Sequence, residues 1–131
     1  MTKNNIIEYF KTLQNSICKE LNAFDSAGKF NEDKWKHHSG GGGRTRTFQG
    51  EIIEKGGVNF SAVKGITSEA LQKQLRIKEE LNFTATGVSI VLHPHNPFVP
   101  IIHMNVRYFE LSDGTYWFGG GIRIFFEPLD S

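Results

Sequence analysis

The chain has 131 residues, the length of one ordinary domain, with 15 basic and 14 acidic side chains and a formal charge of +1. That balance gives no bulk electrostatic case for nucleic acid or an anionic membrane, and no apolar run approaches the ~18 residues of a spanning helix. A single cysteine, Cys18, excludes an intramolecular disulfide, and the N-terminus runs into an amphipathic pattern instead of a signal-peptide block. The composition predicts a soluble, cytoplasmic protein that would expose roughly 7,000 Å² if compact.

Ile6, Phe10, Leu13, Ile17, Leu21 and Phe24 recur every three or four residues and predict an amphipathic helix over residues 3–24, stopped by Asp25-Ser26-Ala27-Gly28. Next come His37-His38-Ser39 and four glycines, Gly40 to Gly43, then a predicted strand from Arg44 to Phe48. The His-Gly run imitates a purification tag and linker, but it lies mid-chain between patterned segments. Its glycines read either as a flexible loop or as backbone N–H groups open to an anionic ligand, with Arg44 and Arg46 as carboxylate forks on one strand face. A strand is predicted from Val58 to Val63, a second helix from Ser68, its N-cap, to about Leu81, and strands from Ala85 to His93, Ile102 to Leu111 and Thr115 to Phe118. Ser112-Asp113-Gly114 joins the last two as an antiparallel hairpin. The fold class is α+β, an antiparallel sheet with helices packed on it.

Alternation groups His103, Asn105, Arg107 and Phe109 on one face of their strand, and Ser89, Val91 and His93 on one face of the preceding strand. The connection between them, Pro94 to Ile101, carries three prolines that stiffen it and hold two histidines in fixed relation, as proton transfer or metal binding requires. A solvated sheet face is the alternative reading of the same stripe. Gly119-Gly120-Gly121 after Tyr116-Trp117-Phe118 marks a place where another backbone or a flat ligand comes close. No nucleotide loop fits, Ser89 has no nucleophile elbow, and Cys18 lies on the helix at an apolar-edge position.

Several blocks together resemble the oxygen-dependent coproporphyrinogen oxidase family over about residues 6 to 122. They are Asp33-Lys34-Trp35 leading into Gly40 to Arg46, Glu54-Lys55-Gly56-Gly57-Val58-Asn59-Phe60-Ser61, and Gly87 to Pro94 with Asn96-Pro97-Phe98-Val99-Pro100. His103-Met104-Asn105-Val106-Arg107-Tyr108-Phe109-Glu110 and Trp117-Phe118-Gly119-Gly120-Gly121 complete the set. The resemblance implies a large antiparallel sheet flanked by helices, a homodimer, and an enzyme of haem biosynthesis. Its reaction converts two propionates of coproporphyrinogen III to vinyl groups with O2 as co-substrate. No organic cofactor is implied, and a divalent metal is disputed for the family. By matching position, His103 is the catalytic acid or base. Ser89, Asn105, Val106 and Arg107 contact substrate, joined by Arg44 and Arg46 as carboxylate forks, and His93 and His103 are the metal-associated histidines.

After the three glycines and one variable residue the family pattern continues Asp-Leu-Thr-Pro. This chain instead reads Ile122-Arg123-Ile124-Phe125-Phe126-Glu127-Pro128 and ends at Ser131, so Arg123 replaces the aspartate expected to hold the pyrrole N–H groups. The resemblance therefore implies an N-terminal portion of a longer fold with a divergent tail over 123–131. A frameshift after Ile122 would account for it, and an Asp-Leu-Thr-Pro continuation in another frame of the DNA is its signature. A truncated sheet predicts an open edge, uncovered apolar strands and poor solubility. Retained tetrapyrrole binding or subunit pairing without turnover is the alternative function.

Overall fold

Burial of the apolar stripe decides the first element: the computed structural model, described here for residues 2–126, forms α1 (Lys3–Phe24), with Ile6, Phe10 and Cys18 buried on its inner side. Met1 and residues 127–131, the last part of the divergent tail, lie outside the described residues. Thr2 caps α1 by accepting the Asn5 N–H through Oγ1 at 3.3 Å, which satisfies one orphan amide of the first turn. Six strands follow: β1 (Lys29–Lys36), β2 (Gly41–Gln49), β3 (Ile53–Ile66), β4 (Asn82–Pro94), β5 (Ile101–Leu111) and β6 (Tyr116–Phe125). They form one antiparallel sheet in sequence order, β1 through β6, so each strand pairs with its chain neighbour. The class is α+β, as the sequence pattern predicts.

Helix α1 lies across β3 and β4, and its apolar stripe meets Val58 and Phe60 of β3, Val88 and Ile90 of β4, and Tyr108 of β5. Inside that layer Gln14 is fully buried and tied at both ends. Its Nε2 donates to the carbonyls of Arg44 (2.6 Å) and Val58 (2.8 Å), and its Oε1 accepts from Arg44 Nε at 2.6 Å. A buried amide with all its bonds made locks the helix to β2 and β3 at one register. Asp25, at the C-cap of α1, turns its carboxylate onto the β2–β3 connection and accepts the N–H groups of Glu51 (3.1 Å), Ile52 (2.9 Å) and Ile53 (3.0 Å). Those backbone donors, Ile53 foremost, hold its carboxyl below the usual carboxylate range.

The sequence expectations differ from the structure at several elements: β1 is not among the predicted strands, and β3 starts at Ile53 instead of Val58. The second helix, α2, runs only over Glu69–Leu75, short of Leu81, because Arg76 turns left-handed at φ 58° and no residue of α2 is buried to reward a longer helix. Its cap is as expected: Ser68 Oγ accepts the Leu71 N–H at 3.2 Å. The glycine run is not a flexible loop. Gly40 and Gly41, at φ 131° and 77°, turn the β1–β2 hairpin, while Gly42 and Gly43 lie inside β2, where a Cβ would strike the Trp35 carbonyl and the Trp35 ring. Gly119 to Gly121 likewise continue β6 rather than ending it at Phe118.

Only one helix covers the sheet among the described residues, and it covers one face. The accessible surface is 8984 Å², above the roughly 7,000 Å² of a compact chain this size. On the helix side, edge strand β6 leaves Tyr116, Phe118, Ile122 and Ile124 exposed, the uncovered apolar strand that the sequence leads one to expect. An apolar trough of about 610 Å³ runs between that strand and the first half of α1. No described helix is long and apolar enough to cross a membrane.

Candidate functional site

Strand register lays the polar residues of the bare face out in rows. Asp33, Thr45, Asn59, Ser89, Asn105 and Gly121 stand opposite one another across all six strands. Trp35, Gly43, Ser61, Gly87, Arg107 and Gly119 form the next row, and Asn31, Thr47, Gly57, Val91, His103 and Arg123 the one beyond. From Asn59 to Gly121 the central row crosses three strand spacings, about 14 Å at ~4.8 Å each. Its floor is low: a Cβ on Gly57, Gly119 or Gly121 would meet nothing within 4 Å. A groove of about 350 Å³ lies here, with Ser89, His103, Asn105, Arg107, Gly121 and Arg123 among its walls.

The β4–β5 register thus brings Ser89, His93, His103, Asn105 and Arg107 to one face, in agreement with their parity within each strand. His93 and His103 point at each other, with Nε2 atoms 3.4 Å apart and ring centroids 5.5 Å apart. At that separation one imidazole can donate a proton to the other, or both can turn lone pairs toward a shared centre. Two imidazoles on one tetrahedral ion have nitrogens about 3.3 Å apart, from metal–nitrogen bonds near 2.0–2.1 Å. The pair therefore fits two positions of a divalent site, but no third His, Cys, Asp or Glu joins it among the described residues. The other side of His103 is closed by the edge of Phe125 (centroids 5.0 Å), and Arg123 lies over that same ring at 4.4 Å.

Three sequence-predicted residues are elsewhere. Arg44 and Arg46 stand on the helix face, opposite Phe60 and Val58 in register, so they are not forks for a ligand on the bare face. Arg44 donates to Gln14, to the Lys11 carbonyl (3.2 Å) and to Asn15 Oδ1 (3.1 Å). Arg46 donates to Asn15 Oδ1 (2.8 Å) and Glu32 Oε1 (2.9 Å), and its guanidinium holds the Glu32 carboxyl below the usual range. Both are occupied in fixing α1 to β1 and β2. Val106 turns its side chain into the trough beside α1, and its backbone lies between the ladders to β4 and β6. Its side chain is therefore on the opposite face of β5 from Asn105 and Arg107.

Other residues of the face escape a reading based on single motifs. Trp35 Nε1 donates to Thr45 Oγ1 at 3.1 Å, and Thr45 Oγ1 donates to Asn59 Oδ1 at 2.7 Å, beside Ser89. The available signal is the alternation Val58-Asn59-Phe60-Ser61, where Val58 and Phe60 are buried and the polar partners must face the other way.

The sequence profile of the family described as coproporphyrinogen III oxidase matches residues 5–126, four residues beyond the end of the resemblance at Ile122. The oxygen-dependent coproporphyrinogen-III oxidase of Synechococcus sp. (strain CC9605) is 47% identical over 112 residues, covering 83% of this chain and 30% of that protein. The enzyme of that name from Prochlorococcus marinus (strain MIT 9312) is 46% identical over 124 residues, covering 92% and 34%. A third, from Synechococcus sp. (strain CC9902), is 46% identical over 112 residues. The chain thus spans about a third of the length of these relatives. With the match running through β6 and across every strand that builds the bare face, this chain belongs to the coproporphyrinogen III oxidase family.

Proposed function

We propose that this chain supplies the substrate-binding and proton-transfer face for O2-dependent oxidative decarboxylation of coproporphyrinogen III to protoporphyrinogen IX. Each propionate loses its carboxylate as CO2 and one hydrogen from its β-carbon, becoming vinyl, and the two electrons released reduce O2 to H2O2. The observation that carries this reading is the single glycine-floored face on which Ser89, His103, Asn105 and Arg107 stand together. A flat tetrapyrrole can lie on a floor without side chains, and Arg107 offers a guanidinium fork to a propionate. His103 takes a pyrrole N–H proton, which raises electron density on the ring for attack on O2. The resulting peroxide then removes the β-hydrogen as CO2 leaves. A divalent ion bound by His93 and His103 would supply Lewis-acid polarisation. The reading includes no organic cofactor, and a second copy of the chain as partner.

Turnover tests it. On admitting O2 to anaerobic coproporphyrinogen III and the protein, protoporphyrin fluorescence should grow, and His103→Ala should slow it about 10²- to 10⁴-fold, the usual worth of a positioned base. No product from a folded sample would overturn the reading.

One observation favours a second reading, binding without turnover. Arg123 stands directly opposite His103, where the family pattern has an aspartate. A guanidinium has donors only and cannot accept a pyrrole N–H, so the carboxylate's task is left undone. On this reading Arg123→Asp raises turnover from baseline, while coproporphyrin binding is already present in the unaltered chain. Turnover unaffected by Arg123→Asp would remove this alternative.

A further inference from the structure

The chain Trp35–Thr45–Asn59 fixes more than packing. An indole Nε1 carries a hydrogen and no lone pair, so across 3.1 Å Trp35 donates and Thr45 Oγ1 accepts. The threonine proton then needs an acceptor. Asn59 lies 2.7 Å away, the usual length of an O–H···O bond and short for an amide N–H···O bond. Turning the Asn59 amide over would place Nδ2 at that short distance and strand the hydroxyl proton. The donor-only indole, two strands away, thereby sets the amide with Oδ1 inward and both Nδ2 hydrogens outward.

Those hydrogens have no acceptor among the described residues. Nδ2 bonds to none of the described residues, and no buried side-chain nitrogen or oxygen among them is left without a partner, so Nδ2 faces open space. The space is a hollow of about 120 Å³ whose polar walls are Asn59, Ser61, Ser89, Arg107 and Thr86, the last with its hydroxyl donating to the Ser61 carbonyl at 2.8 Å, and Gly87 lies between them. It is about a third the volume of the 350 Å³ groove beside it, a side branch on the scale of an arm of the ligand and not of its ring. Every other polar side chain in it can donate a hydrogen bond, none is a carboxylate, and no acidic side chain pairs with Arg107 among the described residues. Such a donor set, holding one formal positive charge, selects an anion with several acceptor lone pairs.

We propose that Asn59 is a substrate-binding residue that donates to a propionate carboxylate alongside Arg107, held in its donating orientation by Thr45 and Trp35. The assignment rests on the reading that the tetrapyrrole lies on the bare face. It adds to that reading a place for one carboxylate, toward β3, and two positioning residues that never touch the ligand.

The test uses the 131-residue chain and two probes in fluorescence titration: coproporphyrin III, the stable oxidised ring with four carboxylates, and its uncharged tetramethyl ester. Asn59→Asp replaces donors with a charge that repels the carboxylate and engages Arg107; affinity for the acid should fall about tenfold or more, with affinity for the ester within about twofold. Thr45→Val frees the amide to turn and should weaken acid binding about three- to fivefold, yet add nothing further in the Asn59→Asp background, as expected of one coupled unit. A merely structural role would weaken both probes together. If Arg107→Ala loses the acid but Asn59→Asp does not, the Asn59 assignment is wrong and the bare-face reading stands. If the unaltered chain prefers neither probe, or Arg107→Ala changes nothing, the bare-face reading fails and this assignment with it. Should Asn59→Asp not fold, NMR of the unaltered chain decides. The Asn59 side-chain NH2 protons should show contacts to Ser89 and shift when coproporphyrin is added; contacts to Thr45 instead, or no shift, would overturn the proposal.

Discussion

The two faces of this sheet are made by the same strands, one residue out of step, and they do opposite things. Val58, Phe60, Val88, Ile90 and Tyr108 turn toward α1 and are sealed there. Asn59, Ser61, Ser89, Asn105 and Arg107 turn away and lie along grooves with a glycine floor. Even the polar groups divide in this way. Gln14, Arg44 and Arg46 on the helix side have their bonds made inside the protein, whereas Arg107 and the Asn59 amide hydrogens on the bare side have donors to spare. Paired polar groups hold a fold together; unpaired donors beside a cleft mark where a ligand completes the bonding.

Neighbouring residues of β3 give the sharpest way to break that contrast. Phe60→Ala should cost about 3–5 kcal/mol, since a buried ring leaves a cavity, while Asn59→Ala one position away should cost about 1 kcal/mol for a partly exposed hydrogen bond. Chemical denaturation of both variants checks this, and equal losses would mean that the two faces are not energetically distinct.

A smaller effect is expected at Gln14. Removing its amide in Gln14→Ala leaves the Arg44 and Val58 carbonyls without their donor, at about 1–3 kcal/mol. Restoring hydrophobicity with Gln14→Leu should not recover the loss, because the carbonyls still lack a partner. A Leu variant as stable as the unaltered chain would show that this buried amide serves only as filler.

Acid should act through the helix-side staples. Asp25 and Glu32 have carboxyls held below their ordinary values, Asp25 by backbone N–H donors and Glu32 by Arg46. Folded values below unfolded ones mean that the stabilisation is complete above the usual carboxylate range near pH 4 and is lost as pH falls through the folded values. The thermal midpoint should therefore drop on acidification below about pH 4, and Asp25→Asn should flatten that drop. At the alkaline end, burial and then Glu110 push Tyr108 up to about 12, so stability should fall as pH rises from about 10 toward that value.

The smallest stability change belongs to the bare face. Gly121→Val adds a side chain where a Cβ meets nothing within 4 Å, and the fold should change by no more than about 0.5 kcal/mol. Coproporphyrin affinity should nonetheless fall, because the floor of the groove is no longer bare. Gly87→Ala is the control on the same face: its Cβ would come within 2.3 Å of the Val106 carbonyl, so it should lower the thermal midpoint. Unchanged ligand affinity in Gly121→Val would place the tetrapyrrole elsewhere.

Much of this was legible along the chain. The period of α1 and the alternation in β4 and β5 are local, and strand parity groups Ser89 with His93 on β4 and His103 with Asn105 and Arg107 on β5. Strand β1 was not legible, because Lys29–Lys36 is an edge strand rich in charge, which removes the alternation that marks a half-buried one. The family motifs, too, are carried by local runs of sequence.

Only the folded sheet decided which side of α1 each strand presents. Arg44 and Arg46 have the same parity as each other, yet parity within one strand does not say which face meets the helix; the β2–β3 register with Val58 and Phe60 does. The same holds for Trp35, Thr45 and Asn59, whose hydrogen bonds join residues on three strands. Alternation is a property of one strand and can be read from its residues. Facing is a relation between strands, set by register and by the single helix that chose which apolar stripe to cover.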